Sequence, residues 1–574
     1  MRMLCIPRML LVCLKRSTLV IFIRVFIRAR FVCMRSFLLV GLLVGLLIGW
    51  MPFSAHAASP TASTPLRGVV WTPPDQARPA ILQLQRMHDM GVTAVRLTRL
   101  LPDAALSTAD TLGVRLFVDL PAAYHTASRL RARLPVLQEQ IRRIAAASRS
   151  HPSLSAIGLA QNADTRHPAT CDVIETLHRT VRQQSNDRLR TYYVTAFAPA
   201  TDACTSIPNR ILVDLRGVSH LNAHWEAWQD VAPAVGIGAV GTWVDPKAAV
   251  GLRVPFSAER HARFFEHWLP LLFDTAPVLF AYRWRDAEET EIRRYGLHTR
   301  EGPPRPALEV VRGLYSGTQT TFAYPTGRAT NEAPVDRLLL GWGLLAMLVL
   351  LYAQRSEVRR MVQRYIRAPA FYREGLREGR DTLPAFSTLL LLQAFITLAL
   401  FIRIGGGLLH GLPAVTLVLE AMPPVLAKAL GGWVEHPLAA GGLVVAPLLG
   451  ASALWCGLLL GVAQHYGRFS IGQTLMLIAW PCWPAILGLL VALALPGDAS
   501  PPVTLVSLAL GAGTALPFLL LRILRDYASV TAVPFPLVLV MGALSPLGIL
   551  VAAATGLGLA TDVSFALLVA LVRP

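Results

Sequence analysis

The chain has little acidic charge, few cysteines and no recognisable metal motif. Its 574 residues contain 35 Asp and Glu against 54 Lys and Arg, which gives a formal net charge of +19. Such a charge would suit a nucleic-acid-binding protein, but the arginines flank apolar runs and do not form a stripe with interleaved aromatic residues. We therefore expect no nucleic-acid partner. No spacing of Cys and His resembles a zinc site and no glycine-rich loop resembles a phosphate cradle, so the sequence predicts neither a metal nor a cofactor.

Apolar residues, by contrast, are in excess. They make up 53% of the chain, and the mean hydropathy of +0.48 is too high for a soluble protein of this length. A large part of the chain is therefore expected to lie in a lipid bilayer.

The N-terminal region has the features of an export signal. An apolar run at 36–50 follows Arg35 and precedes the sequence AHA at 55–57, which is a small-x-small cleavage pattern. We interpret residues 1–57 as a signal-peptide region, in which a start at Met34 would leave a signal of ordinary length. A long N-terminal region and an uncleaved anchor are the alternatives.

Residues 58–316 alternate between short β-rich runs and amphipathic segments of helical period. This pattern is typical of βα units around a parallel sheet, and eight units in this length predict an α/β fold, a closed (β/α)8 barrel. The candidate strands are RGVVW from Arg67, AVRLT from Ala94, RLFVDL from Arg115, LSAIGLAQN from Leu154, TYYVTAF from Thr191, RILVDL from Arg210, VGIGAVGTWV from Val235 and APVLFAYRW from Ala276.

Three blocks in this region carry a family resemblance. They are DMGVTAVRLTRLLPDAALSTADTLGVRLFVDLP at 89–121, SRSHPSLSAIGLAQNAD at 148–164 and FAYRWRDAEETEIRRYGLHTREGPPRPALEVVRGLY at 280–315. In this order they resemble the second and third units, the fourth strand and the closing segment of the catalytic barrel of glycoside hydrolase family 2, the β-galactosidase and β-glucuronidase group. The resemblance implies a glycosidase-like barrel with a sugar site on the loops after its strands.

The two catalytic glutamates that the resemblance implies are missing. In the family the acid/base follows an Asn that matches Asn162, so Ala163 holds its position, and Ala239 holds that of the nucleophile. Alanine can neither donate a proton nor attack carbon, so double displacement cannot run on these positions. Five carboxylates at strand ends could replace them: Asp119, Asp164, Asp214, Asp245 and Asp286. Of these, Asp164 and Asp245 are closest in sequence to the vacated positions. The other interpretation of these residues is that they cap loops or form ion pairs.

The family lines its sugar pocket at five positions that match polar or aromatic residues here: Arg96, Asn162, Trp243, Tyr282 and Trp284. Aromatic rings there can stack on sugar faces, which would leave a binding cleft without catalysis. The alternative is that these rings close the barrel.

Only two of the seven cysteines, Cys171 and Cys204, belong to the exported part. Cys171 is expected at the start of the helix after the fourth strand and Cys204 in the loop after the fifth. Because neighbouring βα loops lie side by side on one face of a barrel, we expect these two cysteines to form a disulfide in an oxidising compartment. Two separate thiols are the alternative.

After a polar linker at 317–336, residues 337–574 predict an all-α polytopic membrane domain with about six transmembrane helices. The expected spans lie near 338–352, 386–402, 443–462, 474–495, 503–521 and 534–554. The stretch 406–441 is less apolar and is interpreted as re-entrant or surface-lying. The loop after the first span is rich in arginine, which places this loop in the cytoplasm and the barrel outside. Residues 469–493 resemble the Yip1 family of multispan proteins.

These features predict a multi-pass protein of the bacterial cytoplasmic membrane with its barrel on the periplasmic or extracellular side. The leading hypothesis is a barrel without catalysis that binds a carbohydrate or an envelope protein. The alternatives are an active O-glycosyl hydrolase with relocated carboxylates, and a membrane scaffold or transport component with the barrel as its sensor. The scarcity of ionisable residues within the expected spans disfavours an ion-coupled pump.

Overall fold

The computed structural model describes residues 65–185, 187–218, 220–231, 235–286, 293–328, 335–380, 382–435, 437–467, 469–494, 519–549 and 552. The expected signal region and nearly all of the expected span at 503–521 lie outside the described residues.

Eight parallel strands form a closed barrel in sequence order, which confirms the predicted (β/α)8 fold. The barrel closes where β1 pairs with β8, with Gly68 opposite Phe280. The strands are Leu66–Trp71 (β1), Ala94–Leu97 (β2), Arg115–Asp119 (β3), Leu154–Gln161 (β4), Arg190–Thr195 (β5), Arg210–Asp214 (β6), Val235–Val240 (β7) and Val278–Ala281 (β8).

Seven helices pack around the strands, and their ends follow local sequence signals. Helix α2 ends at Gly113, which takes the left-handed conformation with φ 67°. Helix α6 begins after Ser257, whose hydroxyl accepts a hydrogen bond from the backbone N–H of Arg260 at 3.1 Å. The helices are Ala77–Asp89 (α1), Asp103–Leu112 (α2), Ala127–Ser150 (α3), Pro168–Ser185 (α4), Leu221–Gln229 (α5), Ala258–Phe273 (α6) and Pro306–Ser316 (α7).

The barrel has two apolar layers because successive side chains of a strand point to opposite faces. On β2, Val95 and Leu97 pack in the layer between strands and helices, whereas Ala94 packs in the interior cluster. Phe280 fills the interior next to Gly68, where an added Cβ would lie 2.4 Å from the Phe280 ring. Glycine at this position therefore makes room for the aromatic core.

Most of the described chain from residue 335 onward is helical, including residues 519–531. The other helices are Val335–Gln354 (α8), Ser356–Arg367 (α9), Pro369–Arg377 (α10), Pro384–Gly411 (α11), Val415–Ala421 (α12), Pro424–Glu435 (α13), Pro437–Tyr466 (α14), Ile471–Ala479 (α15), Ala485–Ala494 (α16) and Phe535–Ala543 (α17).

Two described helices, Pro384–Gly411 and Ala446–Tyr466, are long and apolar enough to cross a bilayer. Two bent pairs raise the number of candidate spans to four, Leu338–Gln354 with Ser356–Arg367 at 99° and Ile471–Cys482 with Ala485–Leu493 at 44°. The sequence predicted about six spans. The expected span at 534–554 is interrupted, because α17 ends at Ala543.

The stretch 406–441 contains the end of α11, α12, α13 and the start of α14. Its interpretation as re-entrant or surface-lying stays a prediction. Helix α11 continues to Gly411, the following residues contact the barrel, and α13 begins at Pro424. Pro413, Pro423 and Pro424 supply the breaks, since proline cannot continue a helix from the preceding turn.

Candidate functional site at the barrel mouth

A buried ion pair lies at the carboxyl ends of β4 and β6. Asp214 ends β6, and the guanidinium of Arg216 donates to both of its carboxylate oxygens, at 2.9 and 2.7 Å. Asn162, which follows β4, donates its side-chain amide to Asp214 at 2.9 Å. All three side chains are buried. Each donor therefore stabilises the ionised carboxylate at a buried position.

Both members of this pair are charged at neutral pH. Burial opposes ionisation of Asp214, but the Arg216 charge and the hydrogen bonds hold the pKa of this carboxyl below its usual value of 3.8. Burial also opposes the charge of Arg216, yet Asp214 and Glu420 raise the pKa of its guanidinium well above the usual value. A general acid needs a raised pKa, so Asp214 is unsuited to donate a proton to a leaving group.

Glu420, in α12, joins the polar centre from the C-terminal helical region. Its carboxylate accepts hydrogen bonds from Arg216 at 2.8 and 3.1 Å and from the hydroxyl of Tyr124. The Arg216 guanidinium lies 3.9 Å from the centre of the Tyr282 ring, in cation–π geometry. Sequence reasoning missed Arg216 and Glu420. A usable signal was present, because Glu420 is an isolated acidic residue in a long apolar stretch, which marks a paired or functional group.

The residues 409–422, called here the mouth segment, are held on the barrel by Arg293. Its guanidinium donates to the backbone carbonyls of Leu409, His410 and Leu412 at 3.1, 2.9 and 2.8 Å. The first two carbonyls lie in the last turn of α11 and the third directly follows it, in a region where carbonyls lack the donor four residues later that they would have inside a helix. Arg293 therefore caps α11 and attaches it to the barrel.

Apolar and hydroxyl contacts continue this attachment. Leu417 is buried against Tyr124 and Phe197. An added Cβ at Gly217 would lie 2.4 Å from Leu417, so glycine permits the close approach of the mouth segment. Thr416 shares a 2.7 Å hydrogen bond with the hydroxyl of Tyr295. The mouth segment thus fills the face on which barrel enzymes hold their substrates.

Three of the five expected sugar-pocket residues lie beneath or beside the mouth segment. Asn162 and Tyr282 contact the buried ion pair, as described. Trp243 stacks on Phe256 with ring centres 4.0 Å apart, and the His410 ring meets it edge-on at 4.6 Å. The side chains of Asn162, Tyr282 and Trp243 are therefore covered by other residues of the same chain.

The other two pocket candidates lie elsewhere. Arg96 is buried deeper in the barrel, where it pairs with Asp119 at 2.8 Å and donates to the Gly238 carbonyl at 2.9 Å. Trp284 packs in the outer layer between strands and helices, and its indole N–H donates to Gln83 at 3.1 Å. The structure does not bring either residue to the mouth.

The two alanines at the vacated catalytic positions also lie apart. Ala239 belongs to the interior cluster, whereas Ala163 packs in the outer layer between strands and helices. The structure therefore does not place the two positions across one cleft.

The other candidate carboxylates are engaged in local contacts. Asp164 forms a bidentate pair with Arg166 at 2.7 and 2.9 Å. Asp245 accepts the backbone N–H of Lys247 at 2.9 Å. Asp286 pairs with Arg305 at 2.6 Å. These contacts match the interpretation of such residues as loop caps and ion-pair partners.

A disulfide joins Cys171 and Cys204, with their Cα atoms 5.1 Å apart. Buried Asp202 lies next to this bridge and accepts hydrogen bonds from the hydroxyls of Thr165 at 2.7 Å and Tyr193 at 3.0 Å. Burial raises the pKa of Asp202 although these donors act in the opposite direction. The loops after β4 and β5 are therefore linked both covalently and by hydrogen bonds.

Comparison with known proteins finds distant similarity to solved glycosidase structures. No family model and no curated protein matches the chain. It is similar to a glycoside hydrolase family 2 β-galacturonidase from Eisenbergiella tayi bound to galacturonate, with 14% identity and a TM-score of 0.41 over 45% of this chain and 52% of that one. It is also similar to a β-glucuronidase from Dictyoglomus thermophilum, with 13% identity and a TM-score of 0.39 over 45% of this chain and 52% of that one. For the β-glucuronidase of Bifidobacterium dentium the identity is 13% and the TM-score 0.41, over 45% of this chain and 47% of that one. The chain spans about half the length of these enzymes.

Proposed function

We propose that this chain is a membrane-anchored protein whose extracytoplasmic, glycosidase-like barrel does not hydrolyse glycosides and binds a glycan or a partner protein at the cell envelope. One observation carries the proposal: the mouth of the barrel is filled by the mouth segment, and its central carboxylate is locked in a buried ion pair. A retaining glycosidase needs two carboxyl groups roughly 5 Å apart at an open cleft.

The arrangement of helix α11 supports the proposed membrane topology. This helix has 28 residues and is therefore about 42 Å long, which exceeds a hydrocarbon layer of about 30 Å. The arginine-rich helices α9 and α10 precede its first residue, and the barrel holds its last turn. Since arginine-rich loops remain in the cytoplasm, the barrel belongs on the opposite side.

An active hydrolase with relocated carboxylates receives less support. Asp164 and Asp245 are the candidates closest in sequence to the vacated positions, and the first of them is paired with Arg166. Asp214 and Glu420 meet at the mouth, but one guanidinium holds both. The Arg216 charge lowers the pKa of Asp214, so this carboxyl is unsuited to act as the acid for a leaving group.

A sensor role for the barrel is the second candidate, and the mouth segment favours it. The mouth segment is continuous with α11, a candidate membrane span. A ligand that displaces the mouth segment from the barrel would therefore shift the end of this helix. In such a protein the membrane half would respond to occupancy of the barrel.

Hydrolysis of a panel of aryl-glycosides by the purified full-length protein tests the proposal. We expect no turnover above that of the Asp214→Asn variant, together with retention of one class of envelope glycan on an array or of one envelope protein after cross-linking in cells. Turnover that Asp164→Asn or Asp245→Asn abolishes would overturn it and establish the relocated-carboxylate alternative.

A further inference from the structure

We propose that the rim of the barrel carries a second site, which binds a phosphate group presented by a membrane lipid or by a soluble phosphate ester. A cavity of about 420 Å³ lies there, between the start of α3 and the end of the mouth segment. It adjoins the filled mouth, with Tyr124 and Glu420 lining it on that side, and is open to solvent. The proposal is independent of whether the barrel hydrolyses glycosides.

The barrel side of the cavity is cationic. Arg129 and Arg133 are one turn apart in α3, both are exposed, and both line the cavity. The guanidinium of Arg133 donates to the imidazole of His125 at 2.9 Å. Burial, together with Arg133 and Arg129, lowers the pKa of His125, so the imidazole stays neutral and accepts this hydrogen bond.

The acidic residue on the opposite wall does not neutralise these arginines. The carboxylate of Glu420 lines the cavity, but it already accepts hydrogen bonds from Arg216 and Tyr124. Within the described part of the chain, neither Arg129 nor Arg133 forms an ion pair with a carboxylate. Two like charges at this spacing repel each other, and a bound anion would relieve the repulsion.

The chemistry of the barrel side fits a phosphate group. Guanidinium groups bind phosphate oxygens through paired N–H donors. The first turn of α3 adds free backbone N–H groups, because its N-cap residue Thr126 makes no side-chain capping bond. Arg129 is the residue of this turn that lines the cavity.

Beyond Glu420, the opposite wall of the cavity is apolar and leads to an exposed apolar helix. Met422 and Pro423 line it, and α13 follows with Val425 80% exposed. This helix contains an apolar segment, Val425–Val434. A ligand with a phosphate beside an acyl chain would contact both walls, whereas a soluble phosphate ester would use only the cationic one.

The test uses the full chain in nanodiscs and follows deuterium uptake of the peptide that covers residues 121–134 during titration with phosphatidylglycerol. Glycerol phosphate forms a second arm that distinguishes the two sources of the phosphate. The double variant Arg129→Gln/Arg133→Gln removes the cationic wall. Arg131→Gln/Arg149→Gln removes the same charge from exposed positions of the same helix outside the cavity.

We expect ligand to protect this peptide and the half-saturating concentration to rise about tenfold in the Arg129/Arg133 variant but not in its control. Protection by phosphatidylglycerol alone identifies a lipid headgroup as the source, and protection by both ligands identifies any phosphate ester. Absence of protection, or equal shifts in the two double variants, overturns the proposal. Equal thermal midpoints of the variants show that the fold is retained.

Discussion

At the residue scale, the mouth of the barrel depends on one buried arginine. Arg216 contacts Asp214, Glu420 and the Tyr282 ring, so it links two strand ends of the barrel to the C-terminal helical region. A buried ion pair is costly to desolvate, and removal of one partner leaves the other charge unpaired. Because the pKa of Asp214 is lowered in the folded protein, the pair stabilises the fold above pH 3.8, and this contribution is lost as the pH falls through the lowered pKa.

Replacement of Arg216 by methionine is expected to destabilise the protein by about 3 to 5 kcal/mol, since Asp214 and Glu420 would lose their shared counter-charge. Chemical unfolding of the full chain in detergent, followed by intrinsic fluorescence, measures this change. Arg99→Met is the matched control, because Arg99 pairs with Asp75 at the surface, with side chains 43% and 85% exposed. For this variant a change below about 1 kcal/mol is expected. Equal effects of the two substitutions would argue against the buried network.

At the scale of elements, two connections fix the loops around the mouth. The disulfide joins the segments after β4 and β5, and the mouth segment joins α11 to the barrel. The disulfide connects two parts of the barrel, and the mouth segment connects the barrel to the C-terminal helices. Together they leave little freedom for a mobile catalytic lid.

Loss of the disulfide in the Cys171→Ala/Cys204→Ala variant is expected to lower stability by about 3 to 4 kcal/mol, because the bridge closes a loop in the unfolded chain. The sequence separation is 33 residues. Thermal unfolding with and without reductant measures the effect, and the variant should match the reduced wild type. The control variant Cys482→Ala removes one free cysteine and keeps the disulfide, so reductant should still lower its thermal midpoint. Mass spectrometry that finds free thiols at both positions in the oxidised protein would contradict the pairing.

The elements that could be predicted from the sequence are those specified by local patterns. Each strand of the barrel is a short β-rich run, and all but β5, which only the short 3-10 turn Pro199–Thr201 separates from β6, are followed by a segment of helical period. This alternation can be recognised without knowledge of distant residues. The mouth segment could not be predicted in the same way, since Glu420 meets Arg216 across 204 positions.

At the scale of the whole molecule, helix α11 connects the arginine-rich helices α9 and α10 to the barrel, and the proposed topology places the barrel outside the cytoplasm. The arginine-rich segment also contacts the helical residues 519–531, since Arg377 donates to the Ser529 carbonyl at 2.6 Å and to the Val530 carbonyl at 3.3 Å. Arginines of both segments therefore lie on the side of the molecule that we assign to the cytoplasm.

Cysteine labelling in intact cells tests this topology. The labelled chain lacks Cys456 and Cys482, and the maleimide reaches the outer face of the cytoplasmic membrane but does not cross that membrane. Asp75→Cys on the barrel is expected to react with it in intact cells. Glu378→Cys, in the arginine-rich segment, is expected to react only after the cytoplasmic membrane is permeabilised, because the positive-inside rule holds this segment in the cytoplasm. Both side chains are exposed. Labelling of both residues in intact cells would contradict the topology.

The central claim is that the barrel mouth is closed by its own chain, and a cross-link between the two surfaces tests it most directly. Gly217→Cys and Leu417→Cys are introduced together, since an added Cβ at Gly217 would lie 2.9 Å from the Cγ atom of Leu417, which is within the reach of a disulfide. In oxidised membranes the account predicts a bond between these two cysteines within one chain, detected by mass spectrometry of the non-reduced protein. Free thiols at both positions under the same conditions would show that the mouth is open and would contradict the account.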